Sequence, residues 1–389
     1  MRLALILALG TVLSTAGLAM AAPAAPAKAS KAAAPAVDPT ISPPGWKAPH
    51  NAMGQPDFSG YWSNATMTPL VRNARLTDKL VIPAAQAASL EKVFAEALAA
   101  ADAPTDPNKG PGRVTDPNSP EAQLVKIRPD FAAAGGDVGG YNTFWIDPGN
   151  HMMEVNGEYR SSILTTPNGM PAPRKAGAPG GGRGFPRDVY DSYENRSLGE
   201  RCIMGFGANA GPPMLANGYY NNNYYIQQSP DAVVIQVELI HDTRIIRLKG
   251  GHRTDGVRQW MGDSIGHFEG DTLVVETTNI PQGQAFMGSW KNLKVTEWFT
   301  RVSPTRINYR FQVEDPDTWD KPWGGEYDFA PLKGIVYEYA CHEGNYALPS
   351  ILAGARRQEK EAAEAKAAPA AAPAATPAAA ASKGKPGAD

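Results

Sequence analysis

The chain has 389 residues, with 37 Lys+Arg against 39 Asp+Glu, so it shows neither the basic charge typical of nucleic-acid-binding proteins nor an acidic tail. Its 39 glycines and 35 prolines make up roughly one residue in five, which argues against an all-helical protein and indicates many turns. With 42% hydrophobic residues the chain can bury a substantial core.

The N-terminus has the pattern of a secretory signal peptide. Arg2 precedes an apolar run over residues 3–18, and Ala19-Met20-Ala21 forms a small-x-small cleavage site. We therefore predict a signal peptide over 1–21 and a periplasmic or secreted protein without stable membrane insertion after cleavage. An uncleaved membrane anchor is the alternative, but the polar and glycine residues within the run make it weak for spanning a bilayer.

Composition divides the remainder into a folded unit and two tails. Residues 22–45 are rich in Ala and Pro and predict a disordered linker, and 356–389 predict a helix end followed by a similar tail. A single β-rich domain with insertions is expected over 46–355, including a glycine-rich flexible loop at 174–187. The Ala/Pro tails could make contacts with the cell envelope.

Few helices are expected in the folded unit. Pro83 precedes a stretch over 84–100 that is rich in Ala, Leu, Glu and Lys, which predicts a helix that begins after the proline. A second helix is predicted from about 349 to 364.

The second half of the chain predicts an all-β fold. Turn signals separate β-branched and aromatic stretches at 233–240, 273–278, 293–301 and 306–315, and a less decisive strand is expected at 335–341. Because no long helical stretch lies between the first four strands, a parallel βαβ sheet is disfavoured. The expected architecture is an antiparallel meander that closes into a lipocalin-like barrel or a sandwich, with a few peripheral helices.

One hairpin can be predicted residue by residue. Residues 306–315 alternate strictly between apolar odd positions and polar even positions. A turn centred on Pro304 then pairs the apolar faces of the two strands in this register: Arg301 with Ile307, Phe299 with Tyr309, Glu297 with Phe311, and Val295 with Val313.

This register points the side chains of Glu297 and Arg301 toward the core. Four residues of strand separate them by roughly 13 Å, so each needs a partner from elsewhere. One interpretation is an internal hydrogen-bonded network that only stabilises the fold. The other is a polar anchor for a ligand, in which Glu297, Arg301 and Tyr309 orient the molecule and the aromatic Phe299 and Trp260 contribute to its site.

Catalytic and metal-binding residues are less clearly indicated. Glu297 or Glu338 as base with His342 as acid would suit an enzyme, and His241, Asp263 and His342 are weak candidates for a metal site. None of them has a fixed ligand spacing, so neither a metal nor another cofactor is predicted. Ser264, between Gly262 and Gly266, has the spacing of a serine-hydrolase motif, but a strand rather than a helix is expected to follow it.

Cys202 and Cys341 are the only cysteines in the sequence. In an oxidising compartment such a pair more often forms a disulfide than two free thiols, and the spacing lacks the Cys-x-x-Cys pattern of a metal site. We therefore predict a disulfide.

Several motifs resemble known families. The triplet Gly60-Tyr61-Trp62 ahead of a meander resembles lipocalin-like barrels. Four segments are similar to motifs of a large family of exported, uncharacterised bacterial proteins: 56–62 (PDFSGYW), 197–202 (SLGERC), 262–279 (GDSIGHFEGDTLVVETTN) and 337–346 (YEYACHEGNY). The resemblance implies export and relatedness over most of 56–359, and it implies no particular reaction.

The sequence thus favours an exported barrel that binds an apolar or aromatic small molecule in its interior. A periplasmic lyase, isomerase or hydrolase that uses a carboxylate and a histidine in the same cavity is the first alternative. An envelope-associated interaction protein is the second.

Overall fold

The computed structural model describes residues 42–101, 147–178, 189–205, 210–215 and 221–367. The predicted signal peptide, nearly all of the predicted linker and the last part of the predicted tail lie outside these ranges, as does most of the loop expected at 174–187. All described residues belong to one compact unit.

The described elements are mainly strands. In chain order they are β1 (Gly60–Ser63), β2 (Val81–Ile82), α1 (Ala84–Ala101), β3 (Glu154–Val155), β4 (Glu158–Arg160), β5 (Asn223–Gln228), β6 (Ala232–Val237), β7 (Thr243–Arg247), β8 (Asp263–Glu269), β9 (Thr272–Thr278), β10 (Lys294–Ser303), β11 (Arg306–Glu314), β12 (Trp323–Pro331) and α2 (Ala347–Ala367). The predicted helices at 84–100 and 349–364 are therefore confirmed, the second extending slightly beyond both expected ends.

Nine of the described strands form a closed barrel in the order β1-β12-β11-β10-β9-β8-β7-β6-β5, and β5 pairs with β1. Strand directions cannot alternate all the way around a ring with an odd number of strands, so closure requires one parallel pair. That pair is β7 and β8, and the connection between them, residues 248–262, runs mostly exposed. The all-β prediction is confirmed, and of its two forms the barrel is the one observed.

The hairpin of β10 and β11 has the predicted register. Phe299 lies opposite Tyr309 and Glu297 lies opposite Phe311, with a local irregularity between Arg301 and Ser303 at the turn. Because side chains alternate along a strand, the odd-numbered residues of both strands point inward together. Burial of each large aromatic side chain contributes about 1.5–3 kcal/mol, and this row supplies much of the barrel core.

A second, smaller core lies beside the barrel sheet. Strands β2, β4 and β3 form a short three-stranded sheet. Helix α1 supplies the buried side chains Ala87, Phe94 and Ala97, which form one cluster with Met67, Ile82 and Met152. This layer buries the apolar stripe of α1, as an amphipathic helix requires.

The prediction of a strand at 335–341 is wrong. Strand β12 pairs with β1 and thereby closes the barrel, so no free sheet edge is left for another strand. The segment instead has no regular secondary structure, and its Tyr337 is 68% exposed. It is held by the Tyr337 N–H, which donates to the Glu238 carboxylate at 2.8 Å.

The predicted disulfide between Cys202 and Cys341 is present, with the two Cα atoms 5.7 Å apart. It connects segments separated by 139 residues of sequence and ties the segment after β12 to the segment that precedes the barrel strand β5. No helix in the described ranges combines the length and the apolar character that crossing a bilayer requires.

Candidate ligand-binding site in the barrel

The predicted inward carboxylate, Glu297 of β10, is paired with Arg244 of β7. Both side chains are buried, with 0% and 1% of the side chain exposed. Arg244 Nη1 donates to Glu297 Oε1 at 2.9 Å, and Nη2 donates to Oε2. The pair is therefore bidentate, the geometry in which a planar guanidinium binds a carboxylate most strongly.

Every N–H of the Arg244 guanidinium has an acceptor in the described structure. Nε donates to Ser264 Oγ at 3.0 Å and Nη2 to Thr277 Oγ1 at 2.8 Å, while Nη1 also reaches the Ala210 carbonyl at 3.5 Å. Burial alone would lower the pKa of Arg244, but the adjacent Glu297 carboxylate outweighs it and raises that pKa. We call Arg244, Glu297, Ser264, Thr277 and Tyr309 the central network.

Tyr309 connects the central network to a piece of chain inside the barrel. Its hydroxyl donates to Glu297 Oε1 at 2.8 Å and accepts from the Met214 N–H at 2.8 Å. The Tyr327 hydroxyl donates to the Met214 carbonyl at 3.2 Å. Met214 is fully buried, so two tyrosines from neighbouring strands hold its backbone in the interior.

Three of the predicted ligand-binding residues, Glu297, Tyr309 and Phe299, thus point inward. The polar groups of Glu297 and Tyr309 are hydrogen-bonded to other residues of the chain. Glu297 is occupied by Arg244 and Tyr309, and Tyr309 by Glu297 and Met214. Phe299 packs against Tyr309 with the ring centroids 4.9 Å apart. Of the two interpretations of the inward Glu297, these contacts favour the stabilising network.

Arg301 lies near the β10–β11 turn and is only half-buried. It donates to the carbonyl oxygens of Ser303, Pro304 and Asp57 at 3.0, 2.7 and 2.7 Å, and its guanidinium lies over the Trp62 ring at 4.9 Å. Burial lowers the pKa of Arg301. Its contacts fasten the segment that precedes β1 to the barrel.

A polar residue that the sequence analysis did not single out lies one residue beyond β1. Asn64 is 1% exposed. Its Nδ2 donates to the hydroxyls of Tyr224 and Tyr327 at 3.0 and 3.3 Å. Its Oδ1 is buried and has no hydrogen-bond partner in the described part of the chain. Trp62 two residues earlier is inward, so the alternation of β1 could have indicated Asn64.

Asn222, one residue before β5, has the same property. It is 4% exposed, and its Nδ2 donates to the Asp147 carbonyl at 3.3 Å. Its buried Oδ1 also lacks a partner among the described residues. We call Asn64 and Asn222 the asparagine pair.

The two tyrosines that bind Asn64 both contact a third aromatic ring. The Tyr224 ring meets the Phe329 ring edge-on at 5.3 Å, and the Tyr327 ring lies 5.4 Å from the same phenylalanine. Burial raises the pKa of the Tyr224 hydroxyl and of the Tyr327 hydroxyl well above the ordinary value, so both remain protonated at neutral pH. The site is apolar apart from these hydroxyls and the Asn64 amide.

The predicted acid–base residues are not brought together. Glu338 and His342 are exposed on the segment after β12, whereas Glu297 is enclosed in the barrel. They therefore do not share a cavity with Glu297, because the strand expected to carry them inward does not form. Trp260 is 46% exposed on the connection between β7 and β8, away from the inward faces of the strands.

The weak metal candidates do not converge either. His241 and His342 are exposed, and no group of three or more His, Cys, Asp or Glu in the described ranges is placed to hold a metal ion. Asp263 is buried and accepts from Arg247 at 2.8 Å and from the Arg253 N–H at 2.7 Å, with His252 Nδ1 at 3.0 Å. Burial would raise the pKa of Asp263, but these hydrogen bonds outweigh it and lower that pKa.

Ser264 does not have the surroundings of a hydrolase nucleophile. It lies within β8 and is followed by β9, and its hydroxyl is shared between Arg244 and Thr277. The prediction that a strand, and not a helix, follows this motif is confirmed.

No protein-family model matches the chain, and no curated protein matches it significantly. The resemblance to exported bacterial proteins therefore stays a prediction.

Proposed function

We propose that this chain is an exported protein that binds an aromatic or otherwise apolar small molecule inside the barrel, next to Asn64. The observation that carries the proposal is the unpaired, buried Oδ1 of Asn64 among aromatic rings. An apolar site with a few fixed polar groups is the usual form of a small-molecule site.

The energetic reason is the cost of an unpaired buried acceptor. Leaving one such group without a partner costs about 1–3 kcal/mol, and buried polar side chains are nearly always hydrogen-bonded in folded proteins. The central network nearby is fully paired, and of the buried side-chain carbonyl oxygens in the described residues only those of the two asparagines lack a partner. A ligand that donates a hydrogen bond to Asn64 Oδ1 would recover this cost on binding.

The hydroxyls of Tyr224 and Tyr327 fix the direction of that acceptor. Both accept from Asn64 Nδ2, and because the Tyr327 hydroxyl already donates its one proton to the Met214 carbonyl, a reversed amide would lose the bond to Tyr327. The side chain therefore presents oxygen rather than nitrogen to whatever lies beside it. The proposed ligand is consequently a donor, such as a phenol, and not an acceptor-only molecule.

Two observations support export. The N-terminal pattern predicts a signal peptide, and the disulfide between Cys202 and Cys341 is typical of proteins that fold in an oxidising compartment. Both support a periplasmic or secreted location, where the protein would have access to small molecules outside the cytoplasm.

The test compares phenol with anisole, its methyl ether, by isothermal titration of the full chain. We expect phenol to bind about tenfold more tightly, the effect of one hydrogen bond. Asn64→Leu should remove this preference while retaining weak binding of both molecules. Asn308→Leu, the same change on an outward-facing residue that contacts Glu326, is the matched control and should preserve the preference.

Equal binding of phenol and anisole to the wild-type chain, or no binding of either, would overturn the proposal. This comparison needs only the wild-type protein, so it holds even if Asn64→Leu fails to fold. Circular dichroism melting of each variant establishes folding before titration.

A further inference from the structure

We infer that the ligand presents two adjacent hydrogen-bond donors, as an aromatic ortho-diol does, one to Asn64 and one to Asn222. The inference rests on the proposed function and extends it to a chemical class. It is carried by the second unpaired acceptor, Asn222 Oδ1, and by its position relative to the first.

Continuing the register of β1 and β5 by one step sets the two asparagines opposite each other. In this antiparallel ladder Trp62 pairs with Tyr224, and the last pair is Ser63 with Asn223. One step beyond it, Asn64 is the counterpart of Asn222. Cα atoms of directly opposite residues within an antiparallel ladder lie about 4.5–5.5 Å apart. One step beyond the end of this ladder, we therefore infer that the two side chains are close enough for one small molecule to reach both.

Both asparagines also belong to the inward-facing row. Trp62 and Tyr224 are inward and buried, and the residues between, Ser63 and Asn223, are less buried. Alternation along a strand returns the next residue to the inner face. The burial of the asparagine pair agrees with this, since each has at most 4% of its surface exposed.

Each amide nitrogen is already used by the protein. Asn64 Nδ2 donates to two tyrosine hydroxyls, and Asn222 Nδ2 donates to the Asp147 carbonyl. The groups left over are therefore two acceptors. A ligand that satisfies both must supply two donors, which a phenol with one hydroxyl does not.

The charge of the ligand follows from the same groups. Two carbonyl oxygens would repel a carboxylate or a phosphate, and the buried cation of the barrel, Arg244, is saturated by Glu297 and its other acceptors. A neutral diol meets no such repulsion. We therefore expect catechol to bind and benzoate to be rejected.

The experiment titrates the full chain with catechol, phenol and veratrole, the dimethyl ether of catechol. Catechol should bind about tenfold more tightly than phenol, the effect of the second hydrogen bond, and veratrole most weakly. Asn222→Leu should reduce the affinity for catechol to the affinity that the same variant has for phenol. Asn308→Leu should leave the whole order intact.

The two levels of the proposal fail in different ways. If phenol is preferred over anisole but catechol binds no better than phenol, the second donor is wrong and the Asn64 site stands. If Asn222→Leu folds and keeps the preference for catechol, Asn222 is not the second acceptor and the inference is overturned. If none of the probes binds, the proposed function itself is overturned.

Discussion

Replacing Glu297 by Gln distinguishes a stabilising network from a ligand anchor. The substitution keeps the shape of the side chain and removes its charge, so the Arg244 guanidinium stays buried without its counter-charge. Removing one partner of a buried ion pair costs about 3–5 kcal/mol. Each kcal/mol lowers the melting temperature by about 2–4 °C in domains of 150–250 residues. We therefore expect Glu297→Gln to melt at least about 6 °C below the wild type.

The assay is calorimetric melting together with urea unfolding, and two further variants control it. Glu326→Gln, on the outer face of β12 beside Asn308, should change stability by less than about 0.5 kcal/mol. The double variant Arg244→Met/Glu297→Leu removes both charges and should recover most of the loss, because apolar replacement of a buried pair is often neutral. If Glu297→Gln melts with the wild type and only loses ligand binding, the reasoning is refuted.

Three further predictions concern pH, the disulfide and close packing. Burial raises the pKa of Asp242 to about 7, so the folded state holds this proton more tightly than the unfolded chain and wild-type stability should fall as pH rises from about 4 to about 8. In urea unfolding, the stability of Asp242→Asn should decrease less over this pH range than that of the wild type. Parallel curves of stability against pH for the two proteins would contradict the prediction. Thiol titration of the unfolded, unreduced chain should find no free thiol, and Cys202→Ala/Cys341→Ala should lose about 2–5 kcal/mol in urea unfolding; two reactive thiols would disprove the bond. Gly324→Ala should destabilise by about 1–3 kcal/mol, because its Cβ would lie 2.0 Å from the Phe311 carbonyl oxygen. Gly251→Ala, with nothing within 4 Å, should not, and equal melting of the two variants would contradict the packing there.

The sequence was most informative where polar and apolar residues alternate strictly. In β10 and β11 the turn at Pro304 and the alternation together determine one register, since a slip by one residue would place apolar side chains opposite polar ones. Glu297 could therefore be assigned to the interior without a structure. Its neighbours in the fold could not be assigned in this way, because they lie on strands far away in sequence.

Arg244 shows why the partner of Glu297 was missed. In β7 the inward residues are Arg244 and Ile246, while Ile245 is 59% exposed, so hydrophobicity does not mark the inner face. The pairing with β6, in which Ile235 lies opposite Arg244, is the signal that could have found it. Predicting that pairing from the sequence requires knowing where the chain turns between the two strands. The turn contains Ile240 and His241 with positive φ angles, which non-glycine residues rarely adopt.

The asparagine pair was missed for a different reason. Asn64 and Asn222 lie just outside their strands, and asparagine is common in exposed turns. The segment at 335–341 illustrates the opposite error. Its alternation resembles a strand, but a strand also needs a free partner edge, and closure of the barrel by β12 and β1 leaves none there.

The most direct test of the account is a high-resolution crystal structure of the full chain purified from its native cells. The account predicts electron density for a small organic molecule with donor atoms about 3 Å from Asn64 Oδ1 and Asn222 Oδ1. It also predicts that Arg244 and Glu297 remain paired beside it. Ordered water molecules or protein N–H groups bonded to both asparagine oxygens, with no organic molecule, would contradict it.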